Sequence, residues 1–202
     1  MVIVDAGEIG VHTDSRCIVL RPSLGAMARL GTPKEIVDTF ISVMAPPEPQ
    51  EGSSEQLNDA LAVLFVCSDE DLSDVFGYWS ETGYVPGSAD RSHIVPLARC
   101  LLKHGVVGAL PPLPRKASEE PKYVKEFDAR AHVSLAMAHL GLSERDAWNM
   151  TMTALVGALR AKFPQSQSHE PGAKAPTKEE HDATMEWFER IEAARRLKQG
   201  VH

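Results

Sequence analysis

The chain has 202 residues, 43% of them hydrophobic, which is enough to bury one core, and it carries a formal net charge of −7. That charge excludes binding to nucleic acid by bulk attraction to phosphate, which needs a basic surface. No apolar run approaches the ~20 residues that cross a bilayer, and the opening MVIVDAGEIG lacks the basic stretch of a signal peptide, so the sequence predicts a cytoplasmic protein with no membrane partner.

Ile9 to Thr13 and Cys17 to Leu20 are β-type runs about a polar Asp14-Ser15 turn. They predict a hairpin that has to lie on helices or pair with another chain's edge, because two strands alone are marginal. Arg21-Pro22-Ser23 closes the second strand, and Leu24 to Leu30 is a short helix stopped at Gly31. Thr32-Pro33 then supplies an N-cap and a first-turn proline for an amphipathic helix carrying Ile36, Val37, Phe40, Ile41 and Met44, ended by Pro46-Pro47. This hairpin with its helices is the first section, 1–45.

The middle section, 46–110, is acidic. Between Lys34 and Arg91 there is no lysine or arginine, yet the interval holds twelve of the 28 acidic residues. Pro46 to Glu55 is a linker by composition. Leu57, Ala60, Leu61, Leu64 and Phe65 mark a helix; Ser68 is expected to cap another through Asp69-Glu70-Asp71, with Leu72, Val75, Phe76 and Trp79 turned inward. Acids suit a first helical turn. The missing cations do not follow from that, so Asp69, Glu70 and Asp71 are candidate residues of a surface that meets a basic partner. Gly83 to Asp90 reads as a connector, and Ile94, Leu97, Ala98, Leu101 and Leu102 as a helix with a glycine C-cap at His104-Gly105.

A linker at 111–124 with a Pro111-x-x-Pro114 spacer leads to the helical section 125–164. Val124 to Leu140 is expected as one helix, apolar on two sides: Phe127, Ala131, Leu135 and Ala138 on one, Val133, Met137 and Leu140 on the other. Ser143 and Asp146 open a short helix, and Thr151 caps a second that Pro164 ends. The second helix carries a large stripe, Met152, Leu155, Val156, Leu159 and Phe163, opposite a small one, Ala154, Gly157 and Ala161. It is therefore predicted to be central, covered from two sides and closely packed at Gly157. The predicted core comes from the helices at Ile36 to Met44, Ile94 to Leu102, Phe127 to Leu140 and Met152 to Phe163. The last section, 165–202, is a polar linker, expected to be mobile. It ends in a charged helix opened by Thr177-Lys178-Glu179-Glu180. There Trp187, Phe188 and Ile191 share one face and are candidate partner-binding residues. The fold class is mainly α: a helical domain with a short N-terminal β-hairpin and a C-terminal helical extension.

Catalytic patterns are absent: there is no glycine-rich phosphate loop, no Gly-x-Ser-x-Gly and no His-Glu-x-x-His. No catalytic, cofactor-binding or metal residue is assigned. Asp128, His132 and His139 share a stripe, yet two imidazoles and a carboxylate fall short of the four ligands of a structural zinc site, and they read as a solvent edge. Cys17, Cys67 and Cys100, odd in number and widely spaced, read as small buried hydrophobes in a reducing compartment. For Cys100 that reading outweighs a thiol–base pair with His104.

The stretch Gly141-Leu142-Ser143, an acid-rich first turn, Trp148, then Met150-Thr151 opening a helix that ends in Arg160-Ala161-Lys162-Phe163-Pro164, resembles the C-terminal helical motif of the tail assembly chaperones of long-tailed phages and prophages. Near the N-terminus, Gly7-Glu8-Ile9-Gly10, the hairpin and Leu20-Arg21-Pro22-Ser23 resemble the opening of the same family. The matching segments cover about a third of the chain. The resemblance implies a protein that is not an enzyme, binds the tape-measure protein, shields its hydrophobic helices in the cytoplasm and presents it to tail-tube subunits; homo-oligomerisation stays open. The alternative is a small DNA-binding or other regulatory helical module using residues 143–163 as a helix-turn-helix. Met152, Thr153, Ala154 and Leu155 offer a base edge nothing, which favours the chaperone.

Overall fold

The N-terminal hairpin sets one boundary of the core. In the computed structural model, which describes residues 7–13, 16–46, 54–111 and 124–164, Ile9–His12 (β1) pairs antiparallel with Cys17–Leu20 (β2), Ile9 opposite Leu20 and His12 opposite Cys17. Strand alternation buries Ile18 and Leu20 fully and turns Cys17 and Val19 outward. Ser23 then caps Leu24–Ala28 (α1), its Oγ accepting from the Ala26 N–H at 3.0 Å. Pro33–Met44 (α2) opens on a reciprocal capping box: Thr32 Oγ1 accepts from the Glu35 N–H, and Glu35 Oε2 accepts from the Thr32 N–H at 2.7 Å. The inward stripe of α2 runs Ile36, Phe40, Val43. Ile41 and Met44, expected inside, are exposed, since Ile41 lies about 130° round the helix from that stripe.

The centre of the core is a pair of helices, Ser54–Val66 (α3) and Ile94–Leu102 (α5), packed along their lengths. α3 buries Leu57, Ala60, Leu61, Val63 and Leu64, and α5 buries Ile94, Ala98, Leu101 and Leu102. A helix apolar around most of its circumference belongs inside. α3 also ties down α2: Gln56 Nε2 donates to the Ser42 and Ala45 carbonyls at 3.1 Å each, and Arg99 Nε from α5 donates to the Val43 carbonyl at 2.8 Å. Two side chains thus satisfy the orphan carbonyls at the end of α2.

The acidic stretch does not open a long helix. Ser68 Oγ accepts from the Glu70 N–H at 3.0 Å and Asp71 Oδ1 from the Ser73 N–H at 2.9 Å, local turns that compete with helix formation. Only one turn follows, Ser73–Phe76 (α4), and it stops at Gly77, whose φ is +80°. Next comes a second antiparallel hairpin, Tyr78–Ser80 (β3) and Gly83–Val85 (β4), with Trp79 opposite Tyr84. Trp79, expected inside, lies on its exposed surface. Past α5 the backbone runs through Gly105 as a π-helical turn, Lys103–Val107, and stops at Gly108. Gly105 is therefore a buried packing position rather than a cap; a Cβ there would meet Met27 Sδ at 2.7 Å.

Ala129–Leu140 (α6) starts at its N-cap Asp128 rather than at Val124. Ala129, Val133 and Ala136 face the core with Leu140 beside them, while Leu135 and Met137, one from each expected apolar side, are exposed, so neither side is covered as a whole. Glu144–Asn149 (α7), capped by Ser143, and Met152–Lys162 (α8), capped by Thr151 Oγ1 on the Ala154 N–H at 3.1 Å, follow end to end. α8 is not the central helix: Met152, Thr153 and Leu155 are buried, Leu159 is half-buried and Phe163 exposed. A Cβ added at Gly157 would have Leu110 Cδ1 as its nearest neighbour at 3.6 Å, ordinary contact rather than close packing. The start of α1 meets this region directly, through a β-bridge between Ser23 and Thr151 and a Leu24 N–H bond to the Met150 carbonyl at 2.7 Å.

The chain is mainly α, with the N-terminal hairpin as expected. It divides into two compact units, Met1–Lys162 and Phe163–His202; of the second only Phe163 and Pro164 are described. Among the described residues no helix is long and apolar enough to cross a membrane.

Candidate functional site

The cations missing from the acidic section come from before it. Arg16, beside β2, places Nη2 at 2.8 Å from Asp74 Oδ1 and 3.0 Å from the Asp71 carbonyl, and Nη1 at 3.8 Å from Glu70. Arg29, at the end of α1, reaches Asp69 at 3.9 Å and donates to the Val66 carbonyl. Hydrogen bonds from the side chain and backbone of Ser73, with a smaller contribution from Arg16, hold the Asp71 carboxyl below its usual range. These pairs are exposed, so each contributes ~1 kcal/mol or less. Their effect is organisation: of the three candidate acids, Glu70 is tied to the hairpin, Asp71 is folded onto its own turn, and Asp69 is almost fully exposed.

Between the hairpin and this turn lies an open groove of about 300 Å³. Its floor is the outward face of β2, where the alternate residues Cys17, Val19 and Arg21 line up, and it is walled by Arg29 and Asn149 and by residues 67–70. Arg21 pairs through Nε with Glu8. Cys17 Sγ lies 4.0 Å from Nε2 of His12, its cross-strand neighbour. The expectation of buried cysteines holds for Cys67 alone, whose thiol burial pushes up to about 12; Cys17 and Cys100 are exposed. Strand alternation decides this for Cys17, since Ile18 and Leu20 take the inward positions.

The histidines do not converge. His132 Nδ1 donates to the Asp128 carbonyl at 2.7 Å and its ring stacks on Phe127 at 4.9 Å, while His139 is two turns further along α6. His104 turns to Thr153 Oγ1 at 2.9 Å, away from any pairing with Cys100. Among the described residues no three His, Cys, Asp or Glu side chains are placed so that they could hold a metal ion. The first turn of α8 is buried, so it presents no face to a base edge. Trp187, Phe188 and Ile191 lie outside the described residues. Sequence reasoning missed the exposed aromatics of the second hairpin, Tyr78 and Trp79, with Trp79 packed on Tyr84 at 5.9 Å and Arg91 over the Tyr84 ring at 5.6 Å.

Fold and surface together define a mainly helical protein in which arginines of the first hairpin and α1 lace the acidic turn around a polar groove. The chain belongs to a family of unknown function (DUF6246), whose pattern matches residues 47–183. The match takes in α3 to α8 and leaves out the N-terminal hairpin, α1 and α2. No curated protein and no solved structure matches the chain.

Proposed function

We propose that this chain is a non-enzymatic tail assembly chaperone of a long-tailed phage or prophage, acting in the host cytoplasm to bind the tape-measure protein and bring it to tail-tube subunits. The observation that carries the reading is spatial. The two segments that resemble the chaperone family are far apart in sequence, yet Ser23 bridges to Thr151 and Leu24 bonds to Met150, so the two pack against each other. Val19 on β2 and Leu135 and Met137 on α6 are exposed apolar side chains of the kind on which a client helix is shielded.

Co-expression with the tape-measure protein encoded in the same genome tests this. Expected is a soluble complex that co-purifies through a tag on the chain, where the tape-measure protein alone goes to the pellet. A tape-measure protein equally insoluble with and without the chain, and no complex, overturns the proposal.

A further inference from the structure

The outer side of α2 keeps an apolar stripe that the fold leaves open. Val37, Ile41 and Met44 follow at i, i+4 and i+7 on one face of the helix; Val37 is half-buried, while Ile41 is 61% and Met44 38% exposed. Beside Ile41, where α2 ends against the start of α3, lies an open pocket of about 300 Å³ whose lining includes Asp38, Ile41, Ser42, Pro46, Glu55 and Gln56. Among the described residues that lining holds two carboxylates and no cation. We infer that this face is a docking surface for a basic amphipathic helix of a partner protein, which seats apolar side chains over Ile41 and Met44 and sets lysine or arginine against Asp38 and Glu55.

Charge selects this occupant. Glu55, in the first turn of α3, has no ion pair among the described residues. Asp38 gives only Oδ2 to Lys34, at 3.2 Å in an exposed i, i+4 pair of the kind that contributes little, so Oδ1 is left for a partner. The carbonyls at the end of α2 are already satisfied by Gln56 and Arg99, which leaves the two carboxylates as the recognition groups. A second copy of this chain is disfavoured, because a two-fold interface sets the same patch against itself and brings like charges together. The connecting residues 47–53 are disfavoured as occupants too, since their charged side chains are Glu48 and Glu51. An apolar stripe flanked by carboxylates thus accepts a cationic helix and rejects an anionic one. This face is independent of the chaperone reading, whose apolar residues lie on β2 and α6.

The full chain, isotopically labelled, is titrated in nuclear magnetic resonance with a synthetic amphipathic helix of leucine and lysine and, separately, with the same peptide carrying glutamate in place of lysine. Amide shifts with the lysine peptide are expected to concentrate at residues 38–46 and 55–56. Ile41→Ser should weaken that binding by about tenfold or more, whereas Val107→Ser, at an exposed aliphatic position outside the acidic pocket, should not. Asp38→Asn combined with Glu55→Gln should weaken it several-fold, by a margin that shrinks at high salt. The glutamate peptide should leave these amides unmoved. Circular dichroism establishes that each variant keeps its helices. Equal losses from Ile41→Ser and Val107→Ser, or shifts with no maximum at this pocket, overturn the site. Equal binding of the two peptides, or a double carboxylate variant that binds like the parent, overturns its preference for cations. Shifts at Ile41 and Met44 that follow chain concentration without peptide, together with a dimer in sedimentation, overturn the partner helix in favour of a second copy.

Discussion

Gly77 and Gly157 are the same residue type under opposite constraints. Gly77 has a φ of +80°, and a Cβ there would stand 2.1 Å from the Val85 carbonyl oxygen, whereas Gly157 is helical with room for a methyl group. Gly77→Ala is expected to cost at least about 1–3 kcal/mol, while Gly157→Ala should stabilise by about 0.5–1 kcal/mol; urea denaturation of the two variants reads both signs. At His104, burial first and Lys103 second hold the imidazole below its ordinary 6.5. The folded chain thus favours the neutral ring. Its contribution is complete above that ordinary value and declines as pH falls from there toward the folded value, where the unfolded chain binds the extra proton. His104→Gln should flatten this decline when urea midpoints are compared between about pH 7.5 and about pH 5; identical curves would remove His104 from the account.

Among the helices, local chemistry and burial part company. The caps at Ser23, Thr32, Ser143 and Thr151 are written in neighbouring side chains, so the starts of α1, α2, α7 and α8 were legible from the sequence. Which helix is central was not, because burial depends on what the rest of the chain covers. α8 has the better-marked ends, yet α3 fills the interior. Leu64→Ala in α3 should therefore cost about 2–5 kcal/mol and Leu159→Ala in α8 distinctly less; equal losses in urea denaturation would restore α8 to the centre. The second hairpin escaped notice for another reason. Its Glu81-Thr82 turn lacks the Asn-Gly or Asp-Gly signature, and its strands are three residues each. The groove was hidden too, since no spacing rule links Cys17 to Arg29 or Asn149.

At the scale of the whole molecule, the division after Lys162 makes the second unit separable in principle. A chain truncated after Pro164 is expected to keep its cooperative melting transition and to lose co-purification with the tape-measure protein if Trp187, Phe188 and Ile191 form the partner-binding face. A loss of several kcal/mol, of the size that burying two aromatics and an isoleucine at about 1.5–3 kcal/mol each would produce, would put that face in the core instead. The bond from Leu24 to Met150 also has a consequence in time. Residues at the start of the chain leave the ribosome long before the carbonyl they need has been made; at about 5–20 residues per second the wait is roughly 6–25 s. Throughout it the start of α1 is without this backbone partner, although the hairpin is already paired within itself and Arg21 has met the Cys67 carbonyl. A ribosome stalled before residue 150 should thus hold a start of α1 that proteases cut readily, and release of the last helices should close it.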